Sequence, residues 1–309
     1  MATIVISEFM DERAVERLRA AHETVFDPKL VDDPERLASL AKDARALIVR
    51  NRTKVRGDLL NGADKLECVG RLGVGLDNID VAACRARGVA VFPATGANDL
   101  SVAEYVITNA LVLLRGSYGV TARVAAGEWP REEAVGNELA GRTMGLIGFG
   151  NIARAVAMRA GALGMDVVAY DPHVKANDPA WGLARNVSLD ALAEMSDVVS
   201  LHVPLIEATR HIVDTRFLRA MKRGAVLINA ARGGVVDDMA VAWALGEGEI
   251  AGAALDVFET EPLTAEAGAM FANLPNLILT PHIAGVTHQS NERVSAMIAD
   301  KVLTHLVRA

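Results

Sequence analysis

An apolar strand, a Gly-x-Gly-x-x-Ala turn and the start of a helix follow one another in Met144-Gly145-Leu146-Ile147-Gly148-Phe149-Gly150-Asn151-Ile152-Ala153. Gly148 permits a tight turn off the strand, and Gly150 lets backbone approach a pyrophosphate closely. Ala153 is small enough for the helix to pack on the strand, and the free N–H groups at the helix start face the phosphates. The motif therefore predicts a dinucleotide-binding unit.

The second strand of this unit ends in Tyr170-Asp171. A carboxylate there can accept hydrogen bonds from both ribose hydroxyls, and it would repel a 2′-phosphate. The sequence therefore predicts NAD as the cofactor in preference to NADP. Lys175 is the one nearby charge that would soften this preference.

Strands and helices alternate along the chain, which predicts the α/β class with parallel sheets. Six strands between residues 143 and 279 fit a doubly wound Rossmann domain that binds NAD, and we expect this domain over residues 99–284. A smaller flavodoxin-like, substrate-binding domain is expected over residues 1–98 plus 285–309, because a helix from about Gln289 can return to the first domain. Crossings near Asn98 and Ala284 would then form the hinge of a cleft that closes on substrate.

Composition excludes several classes of function. The 309 residues carry a net charge of −7 without a basic block, which argues against a nucleic-acid partner. Cys68 and Cys84 have neither metal-binding nor Cys-x-x-Cys spacing, so we predict buried thiols, a reducing compartment and no metal. No signal peptide is evident, and the apolar helix near Tyr105 to Leu114 is too short to span a bilayer. We expect a cytoplasmic protein with no membrane partner.

Three polar stretches follow apolar strands in the second half of the chain: Asn229–Gly234, Asp256–Pro262 and Thr280–Gly285. In an open α/β sheet, ligands bind outside the carboxyl ends of the strands. An arginine, a carboxylate and a histidine should therefore converge on one crevice.

Hydride transfer to a carbonyl requires a group that holds the neighbouring carboxylate, and the planar fork of Arg232 suits this role. The carbonyl oxygen also requires a proton, for which His282 is the candidate donor. Glu261 is expected to keep that imidazole protonated and oriented as its ion-pair partner. In the reverse direction, neutral His282 would accept the hydroxyl proton. The other histidines, except His202, are interpreted as solvated or core groups.

The chain resembles the D-isomer-specific 2-hydroxyacid dehydrogenase family over nearly its whole length. The matching segments are Gly70–Asp80, Gly148–Ala153, Asn229–Asp237, Ala254–Pro262 and Pro281–Gly285. The resemblance implies that Arg232, Glu261 and His282 are catalytic, and that Asp256 contacts the nicotinamide carboxamide. Ala153 stands where many relatives carry glycine. The motif and the resemblance together give this cofactor-binding set: Gly148, Gly150, Asn151, Ile152, Asp171, His202, Val203, Pro204, Thr209, Ala230, Asp256, His282 and Gly285. The expected substrate-binding set is Arg50, Arg52, Val74, Gly75, Asn98 and Arg232.

The stretch Leu47–Val55 closely resembles the phosphoglycerate dehydrogenase branch, where an arginine at the position of Arg50 meets the distal phosphate. We therefore expect a D-2-hydroxy acid with a distal anionic group, of the 3-phosphoglycerate or sulfolactate type, handled by a short form without a C-terminal regulatory domain. The alternative is that Arg50 and Arg52 are ordinary loop charges. Glyoxylate or hydroxypyruvate would then be the substrate.

Two other classes share the expected fold. An NADH-sensing, corepressor-like binding protein is disfavoured because the catalytic set is intact. Formate dehydrogenases pair the histidine with glutamine, so Glu261 argues against them. In similar enzymes the region that corresponds to Ser101–Pro130 forms the interface with a second, identical subunit. A homodimer is therefore expected.

Overall fold

The computed structural model describes residues 3–308 and divides into two compact units. One comprises residues 3–98 and 286–308, and the other runs from Asp99 to Gly285. Gly285 was expected in the first unit but belongs to the second. The domain limits expected at Met1 and Ala309 lie outside the described residues.

Both units are built from parallel strands and intervening helices. The strands are β1 (Ile4–Ile6), β2 (Thr24–Phe26), β3 (Ala46–Val49), β4 (Cys68–Arg71), β5 (Ala90–Pro93), β6 (Thr143–Ile147), β7 (Asp166–Tyr170), β8 (Arg185–Asn186), β9 (Val198–Leu201), β10 (Val226–Asn229), β11 (Gly252–Leu255) and β12 (Leu277–Leu279). The α-helices are α1 (Glu12–Ala21), α2 (Pro34–Ala41), α3 (Gly57–Asn61), α4 (Val81–Ala86), α5 (Asp99–Arg115), α6 (Thr121–Ala125), α7 (Asn151–Ala162), α8 (Leu189–Met195), α9 (Thr215–Ala220), α10 (Asp238–Gly246), α11 (Ala265–Gly268) and α12 (His288–Arg308). Short 3₁₀ helices cover Leu30–Asp32, Ser117–Val120, Pro179–Leu183, Glu207–Thr209 and Ala269–Phe271.

The first unit has the strand order β2-β1-β3-β4-β5, which is typical of the flavodoxin-like domain that the sequence predicted. Its central strands β1 and β3 are continuous, buried apolar runs because both faces of the sheet are covered. Ile4 and Ile6 pack with α1 and α12 on one face. Val5 packs with residues of α2 and α3 on the other face. The helix expected from about Gln289 is therefore present as α12, and it completes this core.

The second unit has the order β12-β11-β10-β9-β6-β7-β8, a Rossmann arrangement with one strand more than the six that the sequence predicted. The additional strand, β8, is two exposed polar residues that pair with β7. It has no apolar run, so hydrophobic patterning cannot reveal it. The chain reverses its direction across the sheet between β6 and β9, which is where α/β folds bind their ligands.

No helix among residues 3–308 is long and apolar enough to cross a membrane.

Candidate active site

The glycine-rich turn after β6 closes tightly against the end of β9. Gly148 has a φ of +89°, and a Cβ atom there would lie 2.7 Å from the carbonyl oxygen of His202. The amide of His202 donates to the carbonyl oxygen of Ile147 at 2.7 Å. Only glycine fits this position, because both the backbone conformation and the space exclude a side chain.

Helix α7 begins at Asn151 with its first turn open. Its N-cap, Gly150, has no side chain that could accept hydrogen bonds from the free amides. A Cβ atom at Gly150 would meet no atom within 4 Å. The amides at this helix start, including those of Asn151 and Ile152, therefore fit a pyrophosphate.

Asp171 follows β7 directly, beside the glycine-rich turn. One carboxylate oxygen accepts the amide of Phe149 at 2.8 Å, and the other accepts the amide of His173 at 2.9 Å. These two bonds fix the carboxylate at the end of the strand, where an adenosine ribose would need its acceptor.

The loop after β9 adds a neutral imidazole. Burial lowers the pKa of His202 to about 3, and its buried Nε2 has no hydrogen-bond partner among residues 3–308. The Thr209 hydroxyl donates to the carbonyl oxygen of Pro204 at 2.6 Å and accepts the amide of Ile206 at 2.9 Å, which folds the loop that includes Val203. With the open helix start and the fixed Asp171, these residues fit a bound dinucleotide.

A buried asparagine shapes the turn that carries Arg232. Asn229, at the end of β10, accepts the amide of Ala231 and donates to the carbonyl oxygen of Arg232, both at 3.1 Å. Arg232 Nη1 donates to the carbonyl oxygen of Ala231 at 2.6 Å. The turn, which includes Ala230, therefore holds its arginine at the carboxyl end of the sheet.

The carboxylate of Asp256 holds the turn that carries His282. Its oxygens accept the Thr280 hydroxyl at 2.6 Å and the amides of Ile283 and Ala284 at 2.8 Å each. His282 has a φ of +54°, a left-handed conformation that is uncommon outside glycine and is retained where the surroundings enforce it. Here the hydrogen bonds that the Asp256 carboxylate accepts hold the backbone in this conformation. The expected contact of Asp256 with the nicotinamide carboxamide stays a prediction, as does the cofactor contact of Gly285.

His282 and Glu261 form a hydrogen-bonded pair, with 2.7 Å between Nδ1 and Oε2. The other oxygen of Glu261 accepts the amide of Phe258 at 3.1 Å. Partial burial alone would raise the pKa of Glu261. The hydrogen bond and charge of His282, the Phe258 amide and the charge of Arg232 outweigh burial and hold that pKa below its usual value. The structure thus brings the three predicted catalytic side chains together.

Several residues near this site make contacts that no sequence motif predicts. The Tyr105 hydroxyl lies 2.7 Å from that of Thr280. His211 was expected to be a solvated or core group, but its Nε2 lies 3.1 Å from Glu259 Oε1. The backbone amide of Glu259 donates to Asp238 at 3.0 Å, and burial raises the pKa of that carboxyl to about 6. These contacts join distant parts of the chain, so no local motif reports them.

The remaining predicted substrate residues lie in the first unit. Arg50 Nη2 donates to Asn291 Oδ1 at 3.0 Å, whereas Arg52 forms an ion pair with Asp32. Asn98 has a buried side-chain oxygen with no hydrogen-bond partner among residues 3–308. Val74 and Gly75 lie on the partly exposed loop after β4. Within the described part of the chain, no cluster of three or more His, Cys, Asp or Glu side chains could hold a metal.

The family profile for the D-isomer-specific 2-hydroxyacid dehydrogenase NAD-binding domain matches residues 107–284. An (S)-sulfolactate dehydrogenase from Chromohalobacter salexigens is 55% identical, over 98% of this chain and 97% of that protein. A hydroxypyruvate reductase from Thermotoga maritima is 36% identical, over 97% of each chain. A D-3-phosphoglycerate dehydrogenase from Methanocaldococcus jannaschii is 37% identical, over 98% of this chain but 57% of that longer protein. The second unit is therefore an NAD-binding domain, and the chain belongs to the D-isomer-specific 2-hydroxyacid dehydrogenase family of oxidoreductases.

Proposed function

We propose that Arg232, Glu261 and His282 interconvert a D-2-hydroxy acid with a distal anionic group and its 2-keto acid. The observation that carries this proposal is the 2.7 Å pair between His282 and Glu261, placed within the electrostatic influence of Arg232. A cation for a carboxylate and a braced proton donor are the two groups that reduction of a 2-keto acid requires.

When bound, NADH supplies the hydride that reaches the carbonyl carbon. Arg232 binds the carboxylate of the substrate through two parallel N–H donors and thereby orients the carbonyl. Because Nδ1 of His282 faces Glu261, its Nε2 is the atom that donates the proton to the carbonyl oxygen. Glu261 stabilises the imidazolium and fixes the ring. In oxidation, neutral His282 accepts the hydroxyl proton at the same atom.

We assign cofactor contacts to the helix start of α7, Asp171 and the loop after β9. Within the first unit, we assign substrate contacts to Arg50, Asn98 and the backbone of Val74 and Gly75. Arg52 is not among them, because it forms an ion pair with Asp32. Asp171 supports the preference for NAD, since a fixed carboxylate disfavours a 2′-phosphate.

Sulfolactate is the candidate substrate that the full-length similarity to an (S)-sulfolactate dehydrogenase favours. The (S) descriptor is consistent with a D-specific family. In lactate the carboxyl group outranks the methyl group, so the D isomer is (R). In sulfolactate the sulfur-bearing carbon outranks the carboxyl group, so the same spatial arrangement is named (S). Hydroxypyruvate, which lacks a second anionic group, is the second candidate, because a hydroxypyruvate reductase also matches over its full length.

We further propose a homodimer and a cytoplasmic location. Large apolar side chains are exposed along and beyond α5, among them Tyr118, Trp129 and Val135. Such a patch is typical of a protein interface. Cys68 and Cys84 are free, buried thiols, which fits a reducing compartment.

The test is NADH oxidation with a panel of 2-keto acids: 3-sulfopyruvate, 3-phosphohydroxypyruvate, hydroxypyruvate and glyoxylate. We expect the highest kcat/KM with a doubly anionic substrate, and His282→Ala should lower its kcat by about 10²–10⁴-fold. His22→Ala, an exchange outside the site, serves as the control. A His282→Ala variant with near-normal turnover would contradict the assigned roles, and highest activity with glyoxylate or hydroxypyruvate would favour the second candidate.

A further inference from the structure

The segment after β3 carries two arginines with different electrostatic surroundings. The guanidinium of Arg52 forms an exposed ion pair with Asp32. The guanidinium of Arg50 has no carboxylate within 4 Å among residues 3–308. It donates one side-chain hydrogen bond, to Asn291, and lies 5.8 Å from the ring centroid of Phe9. Because a guanidinium carries five N–H donors, Arg50 keeps donors for a ligand.

The carboxylate nearest to this segment is occupied by backbone amides. Glu8 is buried, with 4% of its surface exposed, and it accepts the amides of all four successive residues of the segment, 50–53. Glu8 therefore forms no ion pair with Arg50, and its hydrogen bonds leave none of these amides for an external anion. The side chain of Arg50 is thus the charged group of this segment that remains available to an anion.

Within residues 50–53, the second cation has a direct carboxylate partner. The charge of Glu8 reaches both Arg50 and Arg52, but Asp32 is the direct partner of Arg52. Lys29 lies beside two carboxylates, Asp27 and Asp32. Of the two arginines in residues 50–53, Arg50 is therefore the one without a carboxylate in direct contact.

Building on the proposed function, we propose that this segment selects a monoanionic sulfonate over a dianionic phosphate as the distal group of the substrate. A sulfonate carries one charge, which Arg50 balances. A phosphate carries about −1.5 to −2 at neutral pH. Its second charge would lose hydration without gaining a second guanidinium, because Arg52 remains with Asp32, and that loss is unfavourable.

The test compares kcat/KM for 3-sulfopyruvate and 3-phosphohydroxypyruvate in wild type, Asp32→Asn and Asp43→Asn. We expect wild type to favour the sulfonate by about tenfold or more, as expected for a charge left without a partner. Asp32→Asn frees Arg52 and should narrow the ratio by about two- to fivefold, the range of an exposed ion pair. Asp43→Asn is the matched control, since it removes the same charge from the Lys65 ion pair, before the amino end of β3.

The pH dependence of the ratio between the two kcat/KM values provides a second test with the wild-type enzyme. Between about pH 8 and about pH 5.5 the phosphate gains a proton and approaches a single charge, whereas the sulfonate does not change. The wild-type preference should therefore narrow as the pH falls. The proposed catalytic groups are the same for both substrates, so their contribution cancels in the ratio of the two kcat/KM values.

Equal or better use of the phosphate by wild type, or equal ratios in Asp32→Asn and Asp43→Asn, would overturn the selection of sulfonate. Arg50→Ala separates this failure from failure of the proposed function. If it raises KM for both doubly anionic substrates far more than for glyoxylate, binding of a distal anion stands whatever the selectivity. If it affects all three substrates equally, distal-anion binding by Arg50 fails, and the selectivity proposal fails with it.

Discussion

The backbone of Gly233 lies so close to Phe258 that a Cβ atom on Gly233 would stand 1.7 Å from the carbonyl oxygen of Phe258. Gly233 follows Arg232, and the amide of Phe258 donates to Glu261. The turn with the cation and the loop with the acid are therefore in direct backbone contact. This contact fixes the spacing between two of the three proposed catalytic side chains.

Gly233→Ala should disturb that spacing, because backbone atoms must move to admit a methyl group. We expect kcat/KM to fall by about 10- to 100-fold, since small displacements of catalytic groups have effects of this size. Gly224→Ala is the control, because a Cβ atom there meets nothing within 4 Å. Steady-state kinetics and thermal unfolding of both variants test this. Unchanged kinetics in Gly233→Ala would show that the contact does not set the geometry.

Glu261→Gln should reveal the stabilisation that accompanies the lowered pKa of Glu261. A carboxyl group whose folded pKa lies below its unfolded value stabilises the fold fully at pH values above the unfolded value, here 4.5. That contribution is lost as the pH falls below 4.5 through the lowered pKa. The difference in unfolding free energy between wild type and variant should therefore shrink with acidity below 4.5, as measured by urea unfolding. A difference that grows toward low pH would contradict this sign.

Asp171→Ala should narrow the preference for NAD over NADP. The exchange removes the acceptor for the ribose hydroxyls and the charge that repels a 2′-phosphate, and we expect the ratio of the two kcat/KM values to change by about 10- to 100-fold. Asp166→Ala, at the opposite end of β7, removes the same charge and should leave the ratio unaltered. An unaltered ratio in Asp171→Ala as well would show that another group discriminates the two cofactors.

Glu8→Gln should weaken binding of the distal anion without removing Arg50. A neutral amide has one acceptor oxygen and places an NH₂ group against backbone donors, so the segment 50–53 should lose its fixed shape. We expect a loss of about 1–3 kcal/mol in unfolding free energy. We also expect KM for 3-sulfopyruvate to rise about five- to thirtyfold, with a smaller change for glyoxylate. Equal KM changes for the two substrates would show a general structural role alone.

The sheets and the glycine-rich turn could be predicted because their signals are local. Apolar runs mark buried strands, and the spacing from Gly148 to Ala153 marks the turn. The strand β8 could not be predicted because its two exposed polar residues form no hydrophobic pattern. Three candidate catalytic residues could be proposed from the sequence because each lies in a polar stretch after a predicted strand: Arg232, Glu261 and His282.

The partners of several other side chains could not be predicted. His211 and Glu259 stand 48 residues apart, and Arg52 and Asp32 stand 20 apart. Neither pair lies in a periodic element, so only the tertiary fold brings the members together. The same holds for Glu8, whose four amide contacts turn an ordinary-looking acid into a support for the segment that bears Arg50.

The return of α12 to the first unit also bears on how the polypeptide acquires its fold during synthesis. Residues 99–285 form one uninterrupted stretch, so the ribosome can deliver that whole unit before translation ends. The strands of the first unit, in contrast, gain the helix that shields Ile4 and Ile6 only after residues 288–308 have been made. We therefore expect a stage of synthesis at which residues 99–285 have folded while the first unit is incomplete and exposes apolar side chains.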